Sequence, residues 1–354
     1  MDKQVDALET GRNFNLFDPN LPPGQQVLGL FYAKWILGAL RAVVELEVPD
    51  VLADGPLTAA EIAAKTGTHA DPLYRVLRAV SASGIIAERA DGRFELTPLS
   101  AGLVSNAERG IRDMFLFASD PMFLRPYEDV AHSVRTGETA FEHIFGMPFY
   151  DYLKANPASS ALLNRAMVQN HWPLSDRIFE EFDFSRFATI ADIGGGKGQF
   201  LAEILRRHPG CTGVLADQAH TVTEAKQVLE DAGVADRVEI VPTDFFVEVP
   251  AGHDAYFIKH TLHNFGNDAA KIILGKIREA IGDNPEARLL IVDQMITGPG
   301  EWDTAKLIDV EALSVIGGRE RSRKEWDEVA AVAGFEPVNA PEPGGLVMLE
   351  YRPV

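Results

Sequence analysis

The chain has 354 residues, 46% of them hydrophobic, ample for two domains with sizeable cores. Acidic residues outnumber basic ones 52 to 33, a formal charge of −19 that repels polyanions, so nucleic acid is excluded as the expected partner. Cys211 is the sole cysteine, which rules out an intrachain disulfide, and the polar start MDKQVDALETGRNF lacks the basic and apolar regions of a secretory signal; the expected location is cytoplasmic.

In chain order, the first strong feature is VLGLFYAKWILGALRAVVELEV, residues 27–48. It is long enough to span a bilayer, but Lys34, Arg41, Glu45 and Glu47 interrupt it, and no membrane partner is expected. Apolar residues cover most of its helical surface, which predicts burial on nearly all sides, in the domain core and in a subunit interface together. Thr58 and Glu61 then form a capping box in LTAAEIAAKTG, and a second amphipathic helix follows in DPLYRVLRAVSASG. GIIAERADGRFELT alternates apolar and polar residues around Asp91-Gly92, a pair suited to tight reversal, and predicts a hairpin. Helix, turn, helix and wing give residues 1–104 a winged-helix pattern. Its candidate recognition helix, residues 71–83, offers only Arg75 and Arg78 as cations in an acidic chain, so packing or dimerisation, not DNA binding, is the expected role.

Residues 105–180 read as mainly helical and carry Met114, Met122, Met147, Met167, Trp172 and many phenylalanines. Such residues fill ordinary cores, and they also suit the wall of a pocket for an aromatic ligand; composition leaves both readings open. Over residues 181–354, short apolar runs alternate with helical ones: ATIADIG, CTGVLAD, RVEIVP, AYFIKHTL and RLLIVDQM read as buried parallel strands. The class is α/β, a doubly wound Rossmann-like domain whose binding crevice lies at the carboxyl ends of the strands, where strand order reverses.

The turn after the first of these strands is DIGGGKG, residues 192–198. A phosphate-binding P-loop would need glycine where Ala191 stands and Ser or Thr where Gly198 stands, and a dinucleotide fingerprint would need glycine in place of Gln199. What remains is G-x-G-x-G at Gly194, Gly196 and Gly198 behind Asp192. Such a turn lets a ligand approach closely beside an acid that suits an amino group better than a pyrophosphate.

With these residues in view, the sequence resembles the S-adenosylmethionine-dependent small-molecule O-methyltransferases of the caffeate and flavonoid type and their bacterial secondary-metabolism relatives. The resemblance spans nearly the whole chain. It implies a class I methyltransferase domain at 181–354, preceded by a winged-helix dimerisation domain at 1–104 and a helical linker and substrate-pocket region at 105–180, in a homodimer. DIGGGKG looks like the family's cofactor loop, and Asp217, ending LAD, matches the acid that accepts both ribose hydroxyls, a task suited to a group offering acceptors only. TDFF resembles the family's GDFF, placing Asp244 and Phe245 beside the adenine, with Thr243 at the glycine position. FIKHTLHNF resembles LKxxLHDW, giving Lys259 a cofactor-side role and His263 the place of the catalytic base, with Asn264 and Phe265 for the usual Asp and Trp. Asp293 and Glu320 match the acids that orient the histidine, and Met167 matches a methionine against the aromatic acceptor. His171, Trp172 and Phe265 are further substrate-side candidates.

The chemistry fits the residue types. A phenol has a pKa of about 10 and keeps its proton at neutral pH, whereas imidazole near 6.5 is available as a base. Carboxylates behind it fix its tautomer and stabilise the imidazolium that forms. The implied reaction transfers a methyl group to a hydroxyl of a small aromatic or secondary-metabolite acceptor and releases S-adenosylhomocysteine. N-methylation is an alternative, and so is a relative that keeps the cofactor but has lost methyl transfer, of hydroxylase, decarboxylase or pericyclase type. No pair of His, Cys or acid residues has metal-ligand spacing, so no metal is predicted.

Overall fold

The computed structural model describes residues 22–108, 110–169 and 174–354. They form two compact units, one of residues up to 124 together with 153–169 and one of residues 125–152 together with 174–354; the helical stretch 105–180 is thus shared between them.

In the first unit, β1 (Leu57–Thr58), helices Ala59–Thr66 and Ala70–Ala82, β2 (Ile86–Glu88) and β3 (Arg93–Leu96) build the winged helix, its sheet ordered β1-β3-β2 and antiparallel throughout. The capping box forms: Thr58 Oγ1 accepts from the Glu61 N–H at 3.3 Å, while Glu61 Oε2 accepts from the Thr58 N–H at 2.7 Å. Leu73, Leu77 and Val80, spaced along one helical face, bury against Ile62 and Phe94. The long apolar segment is the helix Pro23–Glu45. Only its second half, through Leu40, Val43 and Val44, enters the core; Val27, Leu30, Phe31 and Trp35 stay exposed, Trp35 by 63%. Among the described residues the first half thus leaves an apolar face uncovered, the part the sequence assigns to a subunit interface. Arg41 is held inside the unit, donating to the Leu116 carbonyl at 2.7 Å and Ser119 Oγ at 3.0 Å, which accounts for a cation in the middle of an apolar run.

The second unit is built on a sheet ordered β10-β11-β8-β7-β4-β5-β6, where β4 is Thr189–Ile193, β5 Thr212–Asp217, β6 Val238–Pro242, β7 Ala255–Lys259, β8 Arg288–Ile296, β10 Phe335–Pro337 and β11 Gly345–Pro353. The five expected strands pair in parallel; β11 lies antiparallel to β8, and β10 antiparallel to β11. A two-residue strand, β9 (Arg321–Ser322), adds to the end of β8. Both faces are covered. Ala191, Val214, Tyr256 and Ile291 pack into one core and Ile190, Leu215, Phe257 and Leu290 into the other, which is why these strands read as unbroken apolar runs. From β4 the chain proceeds outward to β5 and β6, then returns to β7 on β4's other side. The crevice of this reversal opens at the carboxyl ends of β4 and β7, where the glycine turn and the Lys259–Phe265 segment stand.

Candidate active site

Gly194, Gly196 and Gly198 take φ of 69°, 63° and 80°, the left-handed region that favours glycine, so the turn after β4 needs all three. The Gly194 N–H donates to the Ala216 carbonyl at 2.8 Å, and the Gly196 N–H to Asp217 Oδ2 at 2.9 Å, tying the turn to the end of β5. Gly198 caps the helix Gln199–Arg207. Gly195, within the quoted loop but not singled out from it, is the most constrained by space in this turn: a Cβ there would lie 2.4 Å from Asp192 Oδ2 and 2.6 Å from Leu215 Cδ1. Lys197 turns outward and pairs with Glu224.

Beneath the turn, Asp192 is almost fully buried and its Oδ2 has no hydrogen-bond partner among the described residues. Burial pushes its pKa up to about 7, opposed by the Lys259 charge. Burial lowers the Lys259 pKa, with Asp192 and Asp293 pulling the other way, and its Nζ stands 5.5 Å over the Phe200 ring. Asp217 Oδ1 accepts from the Gln218 N–H, while Asp244 Oδ1 accepts from the Phe246 N–H at 2.9 Å. Thr243 keeps the turn without glycine: its N–H donates to the Asp217 carbonyl and its hydroxyl to the Glu248 carbonyl. Phe245 is buried and meets Phe265 nearly edge-on at 5.9 Å, and Phe265 meets Phe246 at 5.3 Å. Phe265, expected on the substrate side, is therefore grouped with the residues expected around the adenine. The donor set suits S-adenosylmethionine: an orphaned buried carboxyl for an ammonium, acceptor-only Asp217 for a diol, an aromatic ring for a base, and glycines where a side chain would fill the space.

The expected catalytic trio comes together. His263 Nδ1 lies 2.8 Å from Glu320 Oε1 and 3.4 Å from Asp293 Oδ1, with both acids almost fully buried. Burial disfavours the imidazolium, but Asp293 and the Glu320 hydrogen bond outweigh it and raise the His263 pKa to about 9. Burial in turn lifts Asp293 to about 6, against the pull of His263. His260, unassigned by the sequence, holds φ 47°, unusual for a residue with a side chain, and brings its Nδ1 within 3.7 Å of Asp293 Oδ1. Two features position the trio. Gly318 passes so close to the His263 turn that a Cβ would lie 2.1 Å from the His263 carbonyl, which accepts from the Arg319 N–H at 2.8 Å. Arg321, fully buried, donates to the Leu262 and Phe265 carbonyls at 3.2 and 2.8 Å and to Asn267 Oδ1 at 3.0 Å, clasping the turn from both ends. The Glu320 N–H donates to Asp309 Oδ1 at 2.8 Å.

Two further groups escaped the sequence. The Tyr127 hydroxyl donates to Glu311 Oε2 at 3.2 Å. Burial raises the Glu311 pKa, with the Tyr127 hydrogen bond and the His263 charge opposing it, so this carboxyl feels the charge of His263. No spacing signal links residues so far apart in the chain. Met167 sits, 40% exposed, on the helix Pro157–Gln169 of the other unit; His171 and Trp172 lie outside the described residues.

Residues 127–336 match the family model described as O-methyltransferase domain, and residues 28–106 that described as O-methyltransferase dimerisation domain. The 8-amino-8-demethylriboflavin N,N-dimethyltransferase of Streptomyces davaonensis is 40% identical over 317 residues, 88% of this chain and 90% of the relative. The phenazine O-methyltransferase of Lysobacter antibioticus is 35% identical over 335 residues, 94% of this chain and 97% of the relative. A solved structure of a methyltransferase in calicheamicin biosynthesis, in its S-adenosylhomocysteine-bound form, superposes with a TM-score of 0.79 at 31% identity, covering 95% of this chain and 100% of that one. With the glycine turn, its acidic neighbours and the buried histidine pair of acids in one crevice, the chain belongs to the S-adenosylmethionine-dependent O-methyltransferase family, with that family's dimerisation domain ahead of its methyltransferase domain.

Proposed function

We propose that this protein methylates a hydroxyl, preferentially phenolic, of a small aromatic secondary metabolite, with His263 as general base. The observation that carries the reading is the hold of Glu320 and Asp293 on His263 Nδ1, which leaves Nε2 as the nitrogen to receive the acceptor's proton. Bound S-adenosylmethionine supplies the electrophilic methyl group and a sulfonium charge that opposes protonation of a nearby imidazole. Gly194, Gly196, Gly198, Asp192, Asp217, Asp244, Phe245 and Lys259 hold it; His263 takes the hydroxyl proton, and the two acids stabilise the resulting imidazolium. Met167, His171 and Trp172 remain the proposed acceptor-side residues, to which Tyr127 and Glu311 are added, while Phe265 joins Phe245 on the adenine side. The exposed first half of the helix Pro23–Glu45 joins two copies into a cytoplasmic homodimer.

A second reading, transfer to an aromatic amine, is favoured by Glu311, an acceptor for N–H groups beside Tyr127, and by the N,N-dimethyltransferase among the relatives. Incubation with S-adenosylmethionine and a panel of phenols, anilines and polycyclic quinones, read by mass spectrometry, separates the two. A product heavier by one methyl on oxygen, with stoichiometric S-adenosylhomocysteine, supports the first reading; methylation confined to nitrogen supports the second. Cofactor binding without any methylated product overturns both in favour of a relative that has abandoned methyl transfer.

A further inference from the structure

Glu311 takes no part in moving the proton or the methyl group, yet the fold places it where the charge of His263 reaches it. It ends the helix Thr304–Glu311, and the chain then winds as a π-helix over Ala312–Ile316, closed by the Gly317 N–H on the Ala312 carbonyl at 2.8 Å. Wide turns of this kind recur at functional sites. Two residues before Glu311, Asp309 Oδ1 accepts from the Glu320 N–H at 2.8 Å, which ties the helix to an acid behind His263. The π-helix packs against the turn Leu262–Asn264, which carries His263, and against the turn Arg125–Asp129, which carries Tyr127. From there the Tyr127 hydroxyl donates to Glu311 Oε2 at 3.2 Å.

Glu311 differs from the other buried acids of the crevice in its charge balance. Asp192 has the Lys259 ammonium acting on it, and Asp293 has both His263 and Arg321. Glu311 is half-buried, but among the described residues no lysine or arginine pairs with it, and its only hydrogen bond is the one from Tyr127 to Oε2. Oε1 is thus an acceptor without a donor, and Tyr127, 39% exposed, leaves the pair bordering open space. A carboxylate drawn partly out of water with no countercharge is stabilised by a cation that arrives with the ligand, and an aromatic ring beside it adds to that preference.

We propose that Glu311, oriented by Tyr127, is a specificity-determining residue that seats a protonated aliphatic amine carried by the acceptor, apart from the hydroxyl that receives the methyl group. The inference rests on the O-methylation reading above. An ammonium bound to Glu311 gains a charge-assisted hydrogen bond, and the chain's charge of −19 favours the approach of a cation. It also has no lone pair, so it cannot attack the sulfonium methyl group and serves as a handle. The hydroxyl oxygen forms the new bond to carbon as the carbon–sulfur bond breaks, its proton passes to His263, and the ammonium keeps its own protons.

The test uses a ladder of para-hydroxyphenylalkylamines with one, two or three methylenes between ring and amine, each matched to the alkylphenol in which a methyl group replaces the amine. Binding is measured by calorimetry at neutral pH on the full chain loaded with S-adenosylhomocysteine, and methylation in parallel by mass spectrometry with S-adenosylmethionine. At least one amine is expected to bind about tenfold or more tightly than its isostere. Glu311→Gln should bring that ratio to within about threefold of unity, and Tyr127→Phe should reduce it severalfold. Glu311→Asp, which withdraws the charge by one methylene, should move the optimum to the next longer amine, an effect that a merely structural role does not produce. Circular dichroism melts check that each variant folds. The proposal is overturned if no amine is preferred in the parent, whether both compounds bind alike or neither binds, and equally if the preference survives Glu311→Gln. Amine preference without a methylated product supports the seat and overturns the O-methylation reading, whereas methylated phenols without amine preference overturn the seat alone.

Discussion

His263 is held by two buried acids that favour its protonated form, so fewer imidazoles are free to accept a proton at neutral pH. His263→Ala is expected to reduce turnover by roughly 10²- to 10⁴-fold while leaving S-adenosylmethionine affinity within a factor of about two, read by steady-state kinetics and calorimetry. Because its folded pKa is raised to about 9 from the ordinary 6.5, the parent's kcat/KM for the acceptor should climb with pH and level off no higher than about 9; a flat profile between pH 6 and 9 would show that no imidazole titrates in the rate-limiting proton transfer. The same shift sets a stability slope. The raised pKa contributes stability that is complete below about 6.5 and is lost as pH rises through about 9, so the melting temperature should fall across that window less in His263→Ala than in the parent. Much of this residue-level picture was legible beforehand: His263, Asp293, Glu320, Asp217 and the three glycines sit in short runs that the family resemblance reads directly. Asp192 was legible as an acid suited to an amino group, though not its burial; the tight fit of Gly195 and the roles of Tyr127 and Glu311 were not, because they lie in a 2.4 Å approach or in a hydrogen bond between residues 184 positions apart.

At the level of elements, the site depends on close backbone passages more than on side chains. Gly318→Ala should displace the His263 turn by pressing a Cβ onto its carbonyl, lowering kcat at least tenfold with cofactor affinity kept. Gly195→Ala should do the reverse, weakening the cofactor by pushing Asp192 and Leu215 aside while the His263 trio stays in register. A kinetic and binding comparison of the two distinguishes them, and equal effects of both on both quantities would mean that the two loops move as one. Arg321 explains why GGRERS is more than a charged surface loop: its guanidinium satisfies carbonyls at both ends of the His263 turn and stacks 4.8 Å over the Trp326 ring, a buried role that alternating charges in sequence disguise. The parallel strands and the wing were legible because apolar runs and the Asp91-Gly92 turn signal them strongly; β9 was not, since two residues carry no period. For the long first helix the sequence called for core and interface together but not for which half lies in which, because periodicity reports that a face must be covered and not by which chain.

For the whole molecule, that uncovered face is the expected dimer contact. Phe31→Glu/Trp35→Glu should shift the protein from dimer to monomer in size-exclusion chromatography with light scattering, because each charge would be desolvated against an apolar partner; an unchanged dimer would place the interface elsewhere. The second unit has a different dependence, one of timing. Its last strand in the chain, β11, is not at the sheet's edge but between β10 and β8, paired with β8 from Gly345↔Met295 to Tyr351↔Leu289. During synthesis β8 is complete at Ile296, yet its neighbour ends only at Pro353. At about 5–20 residues per second the nascent sheet keeps an open apolar edge for roughly 3 to 11 s, the condition in which edges recruit other chains. Soluble yield should therefore respond to the pace of translation over the codons for residues 297–353, a sensitivity written into the topology and independent of the chemistry the crevice performs.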